Sequence, residues 1–305
     1  MDEIKNILLC GLGAVGCTIA DKISKMQDIE LKILADKTRI EKYCKTPRIF
    51  NGKPLNLNYI LPENNDFKPD LIIITVKFNG LDDTINNLKN FIGRNTLILP
   101  LLNGINADKI LSSNFGNDKV LSGFYIGHSA IRSEEKITND GIFKLVFGSE
   151  NISHEKIEII KKLFDKCKIN YEIPTDIEQA KWCKFALNIV CNQLSAILKF
   201  DFAEMKSNKK FLQLAKNSLK EVSRIAGAEG IKNPQEIENY AINATLNLMD
   251  NGKTSMLQDI EAKRKTEIDI FAGEIIRLGK KHGILTPYNQ VFYDLIMSIE
   301  TSFKK

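Results

Sequence analysis

The chain has 305 residues, 43% hydrophobic and 27% charged, which is the composition of an ordinary globular protein and excludes wholesale disorder and collagen-like repeats. At about 100–200 residues per domain, the length predicts two domains. Lys and Arg number 43 against 38 acidic residues, a net charge of +5, and no local basic patch accompanies this mild excess, so we predict no nucleic-acid partner.

The first half of the sequence alternates short apolar runs with helical patterns, which is typical of βαβ units and a doubly wound sheet. The run 71–76 is continuous and rich in isoleucine, as expected for a strand buried on both faces of a parallel sheet. The other predicted strands are 6–10, 31–35, 96–101, 120–126 and 142–147, the last as a hairpin strand at the sheet edge. The predicted helices between them are 14–26, 81–91 and 107–111.

From about residue 176 the pattern changes to long amphipathic helices with few strand signals. These predicted helices are 177–200, 210–229, 234–250, 255–281 and 288–303. Pro174 and Thr175 lie at the change, so we place the boundary near 173. The sequence thus predicts an α/β dinucleotide-binding domain at 1–172 and an all-helical substrate domain at 173–305.

A Gly-x-Gly-x-x-Gly motif follows the first predicted strand and opens the first predicted helix. In dinucleotide-binding domains the first glycine permits a tight turn, the second lets the backbone approach the pyrophosphate, and the third lets the helix pack on the strand. A glycine-rich turn without a ligand is the alternative, but the position in a βαβ array favours dinucleotide binding. The residues of this predicted cofactor loop are Gly11, Leu12, Gly13, Ala14, Val15 and Gly16.

Asp36 follows the second predicted strand, 20 residues beyond Gly16. An acidic residue at this point binds the adenosine ribose of NAD and disfavours the 2′-phosphate of NADP. Lys37 and Arg39 follow at once and could hold that phosphate instead, and Asp36 could simply cap the next helix. The local pattern leans toward NAD and leaves NADP open.

Two further polar residues follow predicted parallel strands: Lys77 directly after 71–76, and Asn103 after 96–101. Ligands of open α/β sheets lie at these carboxyl ends of the strands. A solvated lysine and an Asn-Gly turn with Gly104 are the alternatives.

Lys184, Asn188 and Asn192 recur every four residues on the first long helix and form one polar stripe about two turns long. Spacing alone predicts a solvent-exposed face. If the helix is central, the stripe must line a wet site instead, because buried unpaired amides and ammonium groups are costly.

Ser255 and Gln258 fit a capping box at the start of the predicted helix 255–281, which would explain Ser255 by structure alone. Glu267 lies further along this predicted helix, on an ordinary charged face. A straight helix would separate Glu267 from Ser255 by about 18 Å, so the two residues would serve different ends of a ligand unless the helix begins later.

The six cysteines and three histidines are scattered, without the spacing of a zinc site or of a disulfide framework, so we expect no metal. The first residues lack the features of a signal peptide. No apolar run reaches the ~18 residues of a membrane span. We expect a reduced, cytoplasmic protein with no membrane partner.

Together these motifs resemble the ketopantoate reductase family (2-dehydropantoate 2-reductases) over essentially the whole chain. The resemblance is carried by Asn103-Gly104, by 182–184 with Asn188 and Asn192, and by 255–259, 266–269 and 283–289. It implies a Rossmann-type domain followed by a helical domain like the C-terminal one of 6-phosphogluconate dehydrogenase. It also implies reduction of 2-dehydropantoate by NADPH to (R)-pantoate, on the route to pantothenate and coenzyme A.

The same resemblance implies roles for individual residues and replaces the surface interpretation of the stripe with a catalytic one. Lys184 becomes the proton donor. The substrate-binding residues it implies are Asn103, Asn188, Asn192 and Ser255. At the cofactor and nicotinamide end it places Lys77, Asn103, Ala130 and Glu267. The family commonly has Arg where this chain has Asp36, which leaves NADPH against NADH open.

Two other functions stay open at this point. One is a related NAD(P)-dependent 2-keto acid or 3-hydroxy acid dehydrogenase. The other is a catalytically silent dinucleotide-binding regulator, against which the intact polar set argues. We expect a small 2-keto acid as the ligand partner and a monomer or homodimer.

Overall fold

The computed structural model describes residues 3–64, 66–127, 131–133, 135–139, 143–250 and 252–304. The chain divides into two compact units, Met1–Ile177 and Glu178–Lys305. The boundary drawn from the sequence at 172–173 lies slightly earlier, before the helix that starts at Ile177.

The first unit carries twelve described strands in three sheets. The strands are β1 (Asn6–Cys10), β2 (Glu30–Leu34), β3 (Ile49–Phe50), β4 (Lys53–Pro54), β5 (Asn58–Ile60), β6 (Leu71–Ile74), β7 (Leu97–Pro100), β8 (Ser122–Gly127), β9 (Ile131–Ser133), β10 (Lys136–Thr138), β11 (Phe143–Gly148) and β12 (Tyr171–Glu172). The main sheet is parallel, in the order β5-β2-β1-β6-β7. This order reverses direction between β1 and β6, and ligands of doubly wound folds bind at such a reversal.

Helices cover both faces of this sheet. They are α1 (Ala14–Ile23), α2 (Lys37–Lys45), α3 (Leu81–Leu88), α4 (Ala107–Phe115) and α5 (His154–Lys166). Successive residues of β6 enter opposite cores: Leu71 and Ile73 belong to one apolar cluster, Ile72 and Ile74 to the other. The prediction of a strand buried on both faces is therefore confirmed, since all four residues are fully buried.

The predicted hairpin strand needs a correction. β11 does pair antiparallel with β8, but the two belong to a separate three-stranded sheet with β12 instead of the edge of the main sheet. Both neighbours of β11 are thus β8 and β12, and its Phe147 ring packs edge-on against Phe164 of α5 at 5.4 Å. Just before β8, Val120 forms an isolated parallel bridge with Ile98 of β7.

The second unit is helical. Its helices are α6 (Ile177–Leu198), α7 (Phe202–Ser207), α8 (Lys209–Ala228), α9 (Pro234–Leu246), α10 (Ser255–Glu261), α11 (Ala272–His282) and α12 (Pro287–Thr301). α6 is central: Phe185, Ile189, Val190 and Leu194 are all buried on different sides of it. In the described part of the chain, no helix is both long and apolar enough to cross a membrane.

The predicted continuous helix 255–281 is wrong. α10 ends at Glu261, and a turn of 3₁₀ helix at Ile268–Ile270 precedes α11. The chain leaves α10 through Lys263, whose φ of 52° no helix accommodates. Arg264 fixes the turn, because its Nε donates to Asp259 Oδ1 at 2.8 Å and its backbone N–H to the Asp259 carbonyl at 2.8 Å.

Candidate active site

The glycine-rich turn has a geometry that only glycine permits at two of its three positions. Gly11 has φ of +102°, and a Cβ there would lie 2.9 Å from the Val76 backbone nitrogen. A Cβ on Gly16 would lie 2.0 Å from the Gly11 carbonyl oxygen, so α1 packs on β1 only without a side chain. At Gly13 a Cβ would meet nothing within 4 Å. The space before Gly13 is therefore open to a ligand, while the other two glycines shape the turn.

The N-terminus of α1 faces this open space. Gly13 is its N-cap residue and provides no side-chain cap, and the first turn carries no acidic residue. The first backbone N–H groups of a helix lack intrahelical partners and attract anions. A diphosphate fits here, since the turn provides N–H donors and no competing carboxylate.

A cavity continues from this turn to the end of β2. Gly11, Leu12 and Asp36 contribute to its lining. Asp36 also caps α2: its Oδ1 accepts from the Arg39 backbone N–H at 2.8 Å, and Oδ2 lies 3.4 Å from Arg39 Nε. The capping alternative is thus confirmed, and the carboxylate still borders the cavity.

Sequence reasoning missed several residues of this cavity. Tyr43 from α2, and Thr84 and Asn87 from α3, also line it. No local motif marks them, because they lie within two helices that the strand order brings to the same cavity. The helical periodicity of α3 was the one sequence signal that could have indicated Thr84 and Asn87.

Lys77 and Asn103 emerge at the same edge of the sheet. β6 and β7 pair in parallel with Ile74 opposite Pro100, so both chains leave the sheet side by side. Lys77 is exposed and Asn103 half-buried. The hydroxyl of Thr75 donates to the Gly11 carbonyl at 2.9 Å, which ties this edge to the glycine turn. Ala130 lies outside the described residues.

In the second unit, the polar stripe of α6 is not solvated. Asn188 and Asn192 are 7% and 6% exposed, and Lys184 is half-buried. The solvent-exposed face predicted from spacing alone is therefore wrong. Burial arises because other segments pack on α6, as where the Cys191 thiol lies 3.2 Å from Thr245 Oγ1 of α9.

The ammonium of Lys184 has little electrostatic compensation for its burial. Among the described residues its ammonium makes no hydrogen bond and no ion pair. Burial lowers the pKa of Lys184 below the usual value for lysine, and the nearby Cys191 works weakly in the opposite direction. Burial also raises the pKa of the Cys191 thiol to about 11, so this neighbour is neutral at physiological pH. An ammonium in such surroundings is a stronger acid than a surface lysine.

Two other polar groups lack partners within the described ranges: the Asn192 amide and the Ser255 hydroxyl. The predicted role of Ser255 as N-cap is wrong, because Thr254 caps α10, with its Oγ1 accepting from the Leu257 N–H at 3.2 Å. Gln258 donates to the Lys253 carbonyl instead of closing a capping box. Ser255 is exposed, and its hydroxyl is available to a ligand.

Ser255 and Glu267 belong to opposite ends of the α6 stripe. The Thr254 hydroxyl lies 2.6 Å from that of Ser195, one turn beyond Asn192. The segment after Glu267 packs at the Lys184 end, where the Phe271 and Phe185 ring centroids are 6.2 Å apart. That the two residues serve different ends of a ligand stays a prediction.

In the portion of the chain that the structure describes, no three His, Cys, Asp or Glu side chains lie together as possible metal ligands. The six cysteines are free thiols, and all but Cys44 are buried. The polar groups of the second unit described above are the Lys184 ammonium, the Asn188 and Asn192 amides and the Ser255 hydroxyl. These groups can hold an anionic carbonyl compound and protonate it.

Comparison with known proteins agrees with this chemistry. The ketopantoate reductase PanE/ApbA family model matches residues 7–151, and the C-terminal model of the same family matches residues 176–300. A 2-dehydropantoate 2-reductase from Pyrococcus horikoshii is 27% identical over 303 residues, 97% of each chain.

Solved structures share the fold over nearly the full length. D-mandelate dehydrogenase with NADH and anilino(oxo)acetate matches with a TM-score of 0.86 and 24% identity over 98% of this chain and 99% of that one. A dimeric ketopantoate reductase from Staphylococcus aureus matches with a TM-score of 0.78 and 22% identity, over 98% and 99%. The chain is an enzyme of the ketopantoate reductase family, with a Rossmann-type sheet followed by a helical domain.

Proposed function

We propose that this enzyme reduces the C2 ketone of 2-dehydropantoate to (R)-pantoate with NADPH, in the cytoplasm, on the route to pantothenate and coenzyme A. The observation that carries the proposal is the half-buried Lys184 on the α6 stripe, whose ammonium has no hydrogen-bond or ion-pair partner among the described residues. The relatives named as 2-dehydropantoate 2-reductases support the choice of substrate.

In the proposed reaction a bound nicotinamide supplies the hydride, and negative charge develops on the ketone oxygen. Lys184 Nζ polarises the carbonyl, stabilises the incipient alkoxide and delivers the proton. A lowered pKa suits this role, because a more acidic ammonium gives up its proton more readily.

Asn188, Asn192 and Ser255 hold the substrate in this proposal. Asn192 and Ser255 contribute an amide and a hydroxyl that lack partners among the described residues, and both kinds of group bind a carboxylate and a hydroxyl well. Asn188 lies one turn from Lys184 and orients the ketone toward it. The second unit therefore acts as the substrate domain.

The first unit acts as the dinucleotide-binding domain. We assign the pyrophosphate to the loop formed by Gly11, Leu12, Gly13, Ala14, Val15 and Gly16. We assign the nicotinamide end to Lys77, Asn103, Ala130 and Glu267, with Asn103 also reaching substrate. The open space at Gly13 supports this arrangement.

Arg39 supports the choice of NADPH over NADH. Its guanidinium borders the same cavity as Asp36 and offsets part of the carboxylate charge there. An Arg fork matches a 2′-phosphate, whereas a carboxylate alone repels one. We assign Arg39 to the phosphate and expect Asp36 to leave measurable activity with NADH.

The deciding experiment is steady-state oxidation of NADPH and NADH in parallel, with 2-dehydropantoate and with an aryl 2-oxoacid. We expect the highest kcat/KM with NADPH and 2-dehydropantoate. Higher kcat/KM with the aryl substrate indicates a related 2-keto acid dehydrogenase, as the D-mandelate dehydrogenase fold allows. Tight cofactor binding without turnover of any keto acid indicates a regulator.

The oligomeric state follows from a separate measurement. The dimeric relative supports a homodimer, and sedimentation velocity at micromolar protein distinguishes it from a monomer.

A further inference from the structure

The segment between α10 and α11 carries Glu267 and has little regular structure of its own. Apart from one 3₁₀ turn, it is held by buried side chains on either side of Glu267. Thr266 is 5% exposed and Ile268 is fully buried. Glu267 itself is half-buried between these two anchors. The backbone position of Glu267 therefore depends on what fixes its two neighbours.

Thr266 is fixed by a carboxylate from the far end of the chain. Glu300, in the last turn of α12, accepts two hydrogen bonds on one oxygen, Oε1. The Thr266 backbone N–H donates at 2.7 Å and its hydroxyl at 2.6 Å. The same hydroxyl accepts from the Ile268 N–H at 3.3 Å, so Glu300 orients the peptide groups on both sides of Glu267.

We infer that Glu300 is a positioning residue for the cofactor: it acts through Thr266 to hold Glu267 toward the nicotinamide end. This inference rests on the role assigned to Glu267 under the proposed function. A hydrogen bond to a charged acceptor is stronger than a neutral one, and removing this acceptor leaves a buried N–H and O–H without a partner. The segment would then relax, and Glu267 would lose its fixed direction.

A neighbouring contact provides a matched control. Tyr293 lies on the same helix, and its hydroxyl donates to Asp269 Oδ1 at 3.0 Å on the same segment. Asp269 is exposed and follows Glu267 by two residues, outside the Thr266–Ile268 anchor. Tyr293→Phe thus removes one tether of the segment without touching the anchor of Glu267.

The test is a double-mutant cycle read by calorimetric titration of NADPH, without turnover, together with kcat and Tm. We expect Glu300→Ala to raise the Kd for NADPH about tenfold, which corresponds to about 1.4 kcal/mol. Glu300→Gln, which keeps Oε1 as an acceptor, should restore it to within about twofold of wild type. Tyr293→Phe should bind NADPH normally. Combined with Glu267→Ala, Glu300→Ala should add nothing further.

Four results overturn the inference. Additive losses in the double variant show that Glu300 acts independently of Glu267. If Glu300→Gln fails to restore the Kd for NADPH, the role of Glu300 is purely structural. The same holds if Tm falls in both Glu300 variants while their Kd is unchanged. If Glu267→Ala alone binds and turns over normally, the assigned role of Glu267 is wrong and the inference falls with it. In that case the substrate assay remains a separate test of the proposed reaction.

Discussion

The glycine turn of the first unit and the α6 stripe of the second are built in opposite ways. The turn presents backbone groups to a ligand, and Gly13 leaves space there because it has no side chain. The stripe works through three side chains on a helix that is buried on its other faces. The first kind of site is encoded by neighbouring residues, whereas the second depends on which distant segments cover the helix.

This difference explains why residue spacing predicts the geometry of the glycine turn but not the burial of the stripe. Gly11 and Gly16 are required by close contacts, Gly13 leaves open space, and the spacing of the motif predicts all three roles. The spacing of Lys184, Asn188 and Asn192 says only that they share a face. Whether that face is exposed to solvent depends on α9, α10 and the segment at Phe271, which are remote in sequence.

The largest expected effect falls on the stripe. Lys184→Ala should lower kcat with 2-dehydropantoate by about 10²–10⁴-fold, because a positioned general acid is lost. The Kd for NADPH, measured by calorimetry, should change little, since the pyrophosphate loop belongs to the other unit.

Lys181 is the matched control for that variant. It lies one turn earlier on α6 and forms an ion pair with Glu178 at 2.7 Å. Lys181→Ala should reduce Tm while retaining most of kcat. If Lys184→Ala keeps more than about a third of wild-type kcat, the proposed mechanism is contradicted.

The next effect separates two glycines of the turn. Gly13→Val should weaken NADPH binding by about 10²-fold or more, because its side chain fills space that the pyrophosphate must approach, while the fold tolerates it. Gly16→Ala should instead impair folding, since its Cβ would clash with the Gly11 carbonyl. Calorimetric titration and circular dichroism check both. Normal NADPH affinity in Gly13→Val would remove the basis for the pyrophosphate assignment.

Features set by neighbouring residues could be predicted from the sequence, whereas features set by distant contacts could not. The parallel strands around residues 6–10 and 71–76 were predicted because their apolar runs are continuous. The helix 255–281 was overextended, because the left-handed Lys263 and the Arg264–Asp259 bond have no periodic signature. Arg39 was identified only as an alternative, and Tyr43 was missed.

A smaller effect concerns pH. Only the ammonium form of Lys184 can donate a proton, so kcat should fall as the pH rises through its pKa. Burial lowers this pKa, and the alkaline limb of the kcat profile should therefore lie below the usual lysine value of about 10.4. Lys184→Arg, which stays protonated, should lose this limb together with most of the activity. An unshifted limb in the wild type would show that Lys184 titrates as a surface lysine.

The smallest expected effect is on thermal stability. Replacing Lys184 should raise Tm, although it lowers the catalytic activity. A lysine whose folded pKa is below its unfolded pKa destabilises the fold at every pH below both, and stability rises with pH only between the two values. Lys184→Met should therefore raise Tm at pH 7, by about 2–4 °C for each kcal/mol recovered. The gain should shrink as the pH increases through the lowered pKa, because the wild-type amine is then neutral too. Lys181→Met, which breaks an ion pair instead, should lower Tm. Calorimetric scans from pH 7 to pH 10 distinguish the two; if Lys184→Met lowers Tm at pH 7, the ammonium has a stabilising partner and is not an isolated acid.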